Sequence, residues 1–303
     1  MMGGPFFEAV TDLSNREGPQ RTVRLSKFPT LFVLSDMFLG HFAMGFAAKA
    51  LVPRVSLGTF MFASLVLDFL WSALLLVGLE QVVITPGSTS VADLDFTHYP
   101  FSHSFVAVIG WGLLIAGGYL GVRRSAWEAS VLGGLVMSHW LLDLVVHRAD
   151  LPLYPGGLFP DLPGSMVHLG LGLGHSLSAT ILVEGLLFVG GLFLYGSVTR
   201  ATDRLGRYGF WAFGAVLAGS YAVMLVGPPP PSVAVVAWAG QLPWLFVGWA
   251  YWVDGRRAMR RVPAYDGPGR RRSAFGGRHR EEDAVPVPGE SGQLPFVKRD
   301  GAR

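Results

Sequence analysis

The chain has 303 residues, 51% of them hydrophobic and only 15% charged, with a formal net charge of +3 and a mean hydropathy of +0.43. Soluble domains usually carry about 25% charged residues, so this composition excludes an ordinary water-soluble enzyme and indicates an integral membrane protein. Cysteine is absent, which excludes disulfides, thiolate metal ligands and a cysteine nucleophile.

A membrane span needs about 20 mostly apolar residues. In chain order, the apolar segments are 38–52, 57–77, 102–120, 126–147, 169–197, 209–226 and 231–253. The first is short enough to be re-entrant or interfacial. The fifth begins in a Gly-rich stretch, Leu169-Gly170-Leu171-Gly172-Leu173-Gly174. Gly117 with Gly121, and Gly170 with Gly174, form small-xxx-small pairs that permit close backbone approach. Long connections at 78–101 and 148–168 read as loops, and Gly227-Pro228-Pro229-Pro230-Pro231 reads as a stiff turn.

The predicted fold is therefore all-α: a polytopic transmembrane helix bundle of about six or seven spans, followed by a disordered basic carboxy-terminal tail. Four regions are expected. Residues 1–36 form an extension without a secretory signal, either peripheral or preceding a true start at Met37. Residues 37–197 form the helical bundle that carries the ionisable residues. Residues 198–254 supply two additional helices, and 255–303 the tail.

Half of the 24 Lys and Arg follow Val253. Within the bundle, Lys49 and Arg54, Arg123 and Arg124, and then Arg200, Arg204 and Arg207 occupy alternate connections. The positive-inside rule then predicts a multi-pass inner (cell) membrane protein with a cytoplasmic carboxy terminus, its 78–101 and 148–168 loops outside. The four basic residues before Met37 contradict that rule unless translation starts there or the first helix does not cross. The basic excess reads as attraction to membrane lipid and not as a nucleic-acid footprint.

The most informative segment is Ser138-His139-Trp140-Leu141-Leu142-Asp143-Leu144-Val145-Val146-His147. His139, Asp143 and His147 are spaced i, i+4, i+8 and stack on one helix face with about 40° of drift per step. An ionisable group at membrane depth costs at least a few kcal/mol, so three on one stripe imply a polar interior that binds something. His41 at the outer end of the first segment, Asp68 on a stripe with Ser64 and Ser72, and His103 within Ser102-His103-Ser104 fall at similar depth. Ser176, Thr180 and Glu184 form another stripe, with His175 at its mouth. The last two segments carry no comparable acid or imidazole and read as an appended hairpin.

Imidazoles and carboxylates converging in a cleft open to one face would bind one or two divalent ions, zinc or manganese in character. A bound water would have its pKa lowered, giving a nucleophile without Ser, Cys or Lys, with Asp143 and His147 as the catalytic candidates. Ser102 and Ser104 would orient His103 or contact a substrate phosphate. Asp95, Ser138 or backbone carbonyls would orient the metal-bound imidazoles.

The runs Met37-Phe38-Leu39-Gly40-His41, Tyr99-Pro100-Phe101-Ser102-His103-Ser104 and His139 through Asp143 to His147 resemble the bacterial inner-membrane metal-dependent hydrolases of the YdjM-like family. The resemblance covers roughly residues 37–197. It implies His41, Asp68, His103, His139, Asp143 and His147 as the metal set. Beside it, Ser102, Ser104, Ser138, His175 and Glu184 are candidates for contacting those ligands or the substrate, although His175 departs from the family pattern, which has a non-ligating residue such as Asn there. A more distant similarity of the His-xxx-Asp pattern to zinc-dependent phospholipases and nucleases implies a phosphoester or lipid substrate at the outer membrane–water interface. Two other classes remain open: a metal-ion or proton-coupled transporter, and a non-catalytic structural membrane protein. Polar groups continuing across the whole bundle would mark the transporter; only Lys49 and Glu184 hint at that.

Overall fold

The computed structural model of this chain describes residues 37–156 and 167–260. The expectations for residues 1–36 and for the tail beyond 260 lie outside the described residues.

Long apolar runs without internal proline form the helices, and short polar side chains start them. Ser56, Ser104, Ser176, Asp203 and Ser232 each accept a hydrogen bond from a first-turn amide, beginning α2 (Leu57–Leu76), α3 (Phe105–Arg123), α5 (Leu177–Val198), α6 (Arg204–Val226) and α7 (Val233–Ala239). Between α3 and α5 lies α4 (Ala126–Val146), and α8 (Pro243–Gly255) follows α7. Among the described residues, six helical segments are long and apolar enough to cross a membrane, the last being Val233–Gly255, which contains both α7 and α8. The break before α8 falls at Pro243, where the missing amide donor is tolerated only in a first turn. An all-α polytopic bundle is the observed fold.

The first helix, α1 (Phe38–Leu51), differs from the others. Its 14 residues span about 21 Å, less than the roughly 30 Å of a hydrocarbon core. Ten of the 14 are buried, and α2, α4, α5 and α6 all pack on it. It is thus an interior rod of the bundle and not an interfacial helix. It lacks a side-chain cap of its own, and Glu184 of α5 supplies one, its Oε2 accepting from the amides of Leu39 and, at 3.1 Å, Gly40. Gly191 lets α5 approach so closely that a Cβ there would lie 2.6 Å from the Ala43 carbonyl oxygen.

Helix α3 and much of α5 turn apolar side chains outward, including Leu113, Leu114, Leu186 and Phe193, all more than half exposed. That distribution suits helices whose solvent is lipid. The expected small-residue contact is placed elsewhere. Gly117 and Gly121 face open space, whereas Gly112 of α3 and Gly133 of α4 bring the two backbones together. Gly170 and Gly174 lie outside any α-helix and pack against the end of α4, on the carbonyls of His147, Arg148 and Val146.

Two connections hold strands that hydropathy did not foretell. In the first, β1 (Gln81–Ile84) and β2 (Leu94–His98) form an antiparallel hairpin pairing Val82 with Phe96 and Ile84 with Leu94. In the second, β3 (Leu151–Pro152) pairs with β4 (His168–Leu169). The boundary placed at residue 255 also moves. Strand β6 (Arg257–Met259) pairs with β5 (Thr199–Ala201), and the Arg257 guanidinium lies over the rings of Tyr195 and Phe210. Composition marked these arginines as tail; aromatic faces from distant segments hold them.

The last helices are not peripheral to the core. Phe210, Phe213 and Leu217 of α6 and Phe246 and Val247 of α8 share one apolar cluster with Phe42 and Phe46 of α1. At one end of that core, Lys49 is 2.7 Å from Asp254, whose other oxygen accepts from the Tyr195 hydroxyl.

A candidate metal centre

Four separate pieces of chain converge beside α1. His41 lies in the first turns of α1, Asp68 in α2, His103 just before α3, and His139 and Asp143 in α4. His139 and Asp143 project to one side because four residues of α-helix return the side chain to nearly the same face. His41 is brought there by the anchoring of the α1 amino terminus on Glu184. His103 is brought there by the turn that ends in the Ser104 cap.

The Asp143 carboxylate is the hub. One oxygen is 3.1 Å from His41 Nε2; the other is 3.3 Å from His139 Nε2 and 3.7 Å from His103 Nε2. Asp68 adds a second carboxylate, 3.6 Å from His139 Nε2. The rings of His41 and His139 lie parallel with centroids 3.6 Å apart. Ligand atoms of His41, His139 and Asp143 lie within 4.8 Å of one another, as do those of Asp68, His103 and His139. The two groups share His139.

Without a cation, Asp143 has the imidazoles of His41 and His139 as its ionic partners, 3.1 and 3.3 Å away. Both ring nitrogens of His41, Nε2 of His139 and both oxygens of Asp143 are buried without a hydrogen-bond partner. Each such atom costs about 1–3 kcal/mol when left unsatisfied. A divalent ion among them would use those lone pairs, so the donor set fits a bound metal of the zinc or manganese kind.

The imidazoles are also oriented for ligation. His139 Nδ1 is 2.7 Å from the Ser64 carbonyl oxygen, which only accepts, so Nδ1 carries a proton and Nε2 is the nitrogen turned toward the cluster. His103 Nδ1 is 2.7 Å from Ser102 Oγ. That hydroxyl donates to Glu80 Oε2 at 2.6 Å, which leaves its oxygen to accept from Nδ1. Glu80 is itself buried and fixed, its Oε1 accepting from the amides of Phe101 and Ser102. Burial raises the Glu80 pKa, and these hydrogen bonds oppose the rise. Burial pushes the His103 pKa down to about 3 against the opposing pull of Asp143, keeping the ring in its neutral, ligating form.

His147 stands slightly apart. It is the residue after α4, and its Nδ1 is held 3.0 Å from Asp150. It is near enough to Asp68 and His103 to interact with both electrostatically, yet it joins neither close group of ligand atoms. Its ring packs against Phe96 of β2 and Tyr99. Tyr99 also covers His103.

The remaining expectations divide. Ser102 Oγ is within hydrogen-bond distance of His103 Nδ1, whereas Ser104 caps α3. Ser138 donates to the Leu135 carbonyl of its own helix, and Asp95 pairs with Arg148, so neither orients an imidazole; the Ser64 carbonyl does. Glu184 caps α1, and Thr180 and Ser176 serve the start of α5. His175 is exposed, and its carbonyl accepts from Ser90. Sequence reading passed over Glu80 and Asp150. Asp150 was within sight, three residues after His147, but Glu80 meets Ser102 only through the fold.

An open cleft is not what the structure has. His41, Asp68, His103, His139, Asp143 and His147 are each 5% exposed or less, beneath the hairpin and the segment after α4. No protein family, curated protein or solved structure matches this chain.

Proposed function

We propose that this protein is an integral membrane metal-dependent hydrolase acting on a phosphoester, carried by a lipid, at the outer membrane–water interface. The observation that carries the reading is the convergence of orphaned, buried imidazole and carboxylate lone pairs around Asp143. His41, Asp68, His103, His139 and Asp143 would hold one or two divalent ions, zinc or manganese by donor type. A bound divalent ion supplies activation of water and polarisation of a phosphoryl oxygen.

The chain's own residues divide the remaining work. Hydrolysis adds water across the P–O ester bond, so one proton leaves the water and one reaches the departing alkoxide. His147 is suited to move that proton, because Asp150 fixes its ring through Nδ1 at the edge of the cluster. Phe96 and Tyr99 exclude bulk water from the site. Tyr99 also contacts Asp150 through its hydroxyl, which ties this cover to the proton carrier.

The competing reading is a carrier for metal or protons. Phe42 and Phe46 of α1, with Phe60, Met61 and Leu65 of α2, are essentially fully buried between the His41 end and Lys49, which leaves an apolar block where a carrier needs polar steps. That block favours chemistry at one face. Purified protein should contain stoichiometric zinc or manganese and release headgroup phosphate from phospholipid in a chelator-sensitive manner. His147→Gln should keep the metal and lose turnover. Metal flux into liposomes without hydrolysis would replace this reading with the carrier.

A further inference from the structure

At the opposite end of the bundle, Arg54, Val122, Arg123, Arg124, Ser125 and Glu128 line an open cleft of about 540 Å³. Arg54 comes from the α1–α2 turn, and the others from the junction where α3 passes into α4. A volume of this size falls in the range of small-ligand sites, about 300–1,000 Å³.

Arg54 and Arg124 are not tied down as other basic residues at this end are. Lys49 is paired with Asp254 and Arg256 with Asp203, while Arg257 and Arg260 bond Thr199. Among the described residues, neither Arg54 nor Arg124 forms an ion pair. Glu128, the acid in the cleft, is engaged by the Tyr119 hydroxyl at 2.7 Å. Three guanidinium groups around one cleft repel one another; Arg123 is in contact with the Tyr119 hydroxyl, and Glu128 is the one acid in the lining. Arg124 also takes φ +55°, a left-handed conformation that glycine adopts more readily, so the tight turn that gathers these groups is made with an arginine. Ser125 begins α4 without a side-chain cap, so that helix amino terminus, with its partial positive charge, adds to the field.

An apolar surface continues from the cleft. Val122 is 80% exposed and Trp127 62%, and α3 is left largely uncovered on several sides, with Leu113, Leu114 and Leu120 also exposed along it. A ligand matched to this surface has an anionic head and hydrocarbon tails. Guanidinium forks suit phosphate oxygens, and exposed tryptophan suits the headgroup level of a bilayer.

We propose that this cleft binds the phosphate headgroup of an anionic phospholipid, its acyl chains lying along α3. The site is separate from the metal centre, which lies at the other ends of α3 and α4, and it stands whether or not the protein is a hydrolase. The lipid therefore acts at this site as a bound partner that fixes the α3–α4 junction in the membrane.

The test uses the full chain, delipidated in neutral detergent, with native mass spectrometry of added phosphatidylglycerol and phosphatidylcholine of identical chains. Phosphatidylglycerol should be preferred about a hundredfold, from three arginines near one headgroup. The triple variant Arg54→Gln, Arg123→Gln, Arg124→Gln should bind the two lipids equally, with thermal unfolding unchanged. Should that variant misfold, Arg54→Gln alone, at an exposed turn position, should reduce the preference about fivefold. Equal binding of both lipids by the native protein, or an unchanged preference in the variants, overturns the proposal. Displacement of phosphatidylglycerol by inorganic phosphate at comparable concentration also overturns it, since the site would then recognise a soluble anion.

Discussion

Glu80→Gln isolates the relay that orients His103. In the native protein the carboxylate accepts three hydrogen bonds, from the amides of Phe101 and Ser102 and from the Ser102 hydroxyl. Because a carboxylate only accepts, the Ser102 proton must point at Glu80, and His103 Nδ1 must donate to Ser102. Glutamine has the same shape but only one accepting atom. If its oxygen keeps the two amides, its NH2 group faces Ser102, and the hydroxyl proton loses its acceptor. That proton then turns toward His103 Nδ1, which moves the imidazole proton to Nε2 and removes the lone pair aimed at the metal cluster. Loss of an orienting partner of this kind typically costs 10–100-fold in metal affinity, about 1.4–2.7 kcal/mol. Zinc affinity measured by competition with a chromophoric chelator, in detergent, would read it directly. His103→Ala serves as the reference for complete loss of that ligand. Glu80→Gln binding zinc within about twofold of native while His103→Ala binds far more weakly would refute the relay.

Asp143→Asn should abolish metal retention after purification while membrane insertion stays intact, because both Asp143 oxygens face imidazoles; full occupancy by elemental analysis would contradict its role as hub. His175→Ala should leave metal content unchanged, since that side chain is exposed and joins neither close group of ligand atoms. Asp254→Ala should lower thermal stability by about 3–5 kcal/mol, because Lys49 would remain buried without its counter-charge, while metal stoichiometry holds. A melting temperature equal to native would show that Lys49 finds another partner. Deleting residues 262–303 should leave a folded bundle with native helix content by circular dichroism, and collapse of folded yield would show that the core needs the tail.

Much of this protein could be read from sequence because its solvent is lipid. Backbone groups in hydrocarbon must bond within their own segment, so uninterrupted apolar runs of sufficient length become helices and little else. Ionisable residues in such runs stand out against a background of Leu, Val and Phe, which made His139, Asp143, Asp68, His41 and His103 visible together. The i, i+4 spacing of His139 and Asp143 fixed their common face without reference to any partner.

Tertiary structure decided what those residues meet. The depth of a side chain follows from the helix it rides, but its neighbours depend on how helices pack, and packing is set by contacts between positions far apart in the chain. Glu184 reads as a site acid by its stripe; it caps α1 because α5 lies against the amino terminus of that helix. Glu80 reads as a loop acid; the fold sets it beneath Ser102, twenty-two residues on. The strands β1 and β2 carry too few residues to announce themselves, yet pairing across the hairpin makes them the cover of the site. Local sequence thus determined which side chains are costly in a membrane, while the closeness that makes them a binding site arose from long-range packing alone.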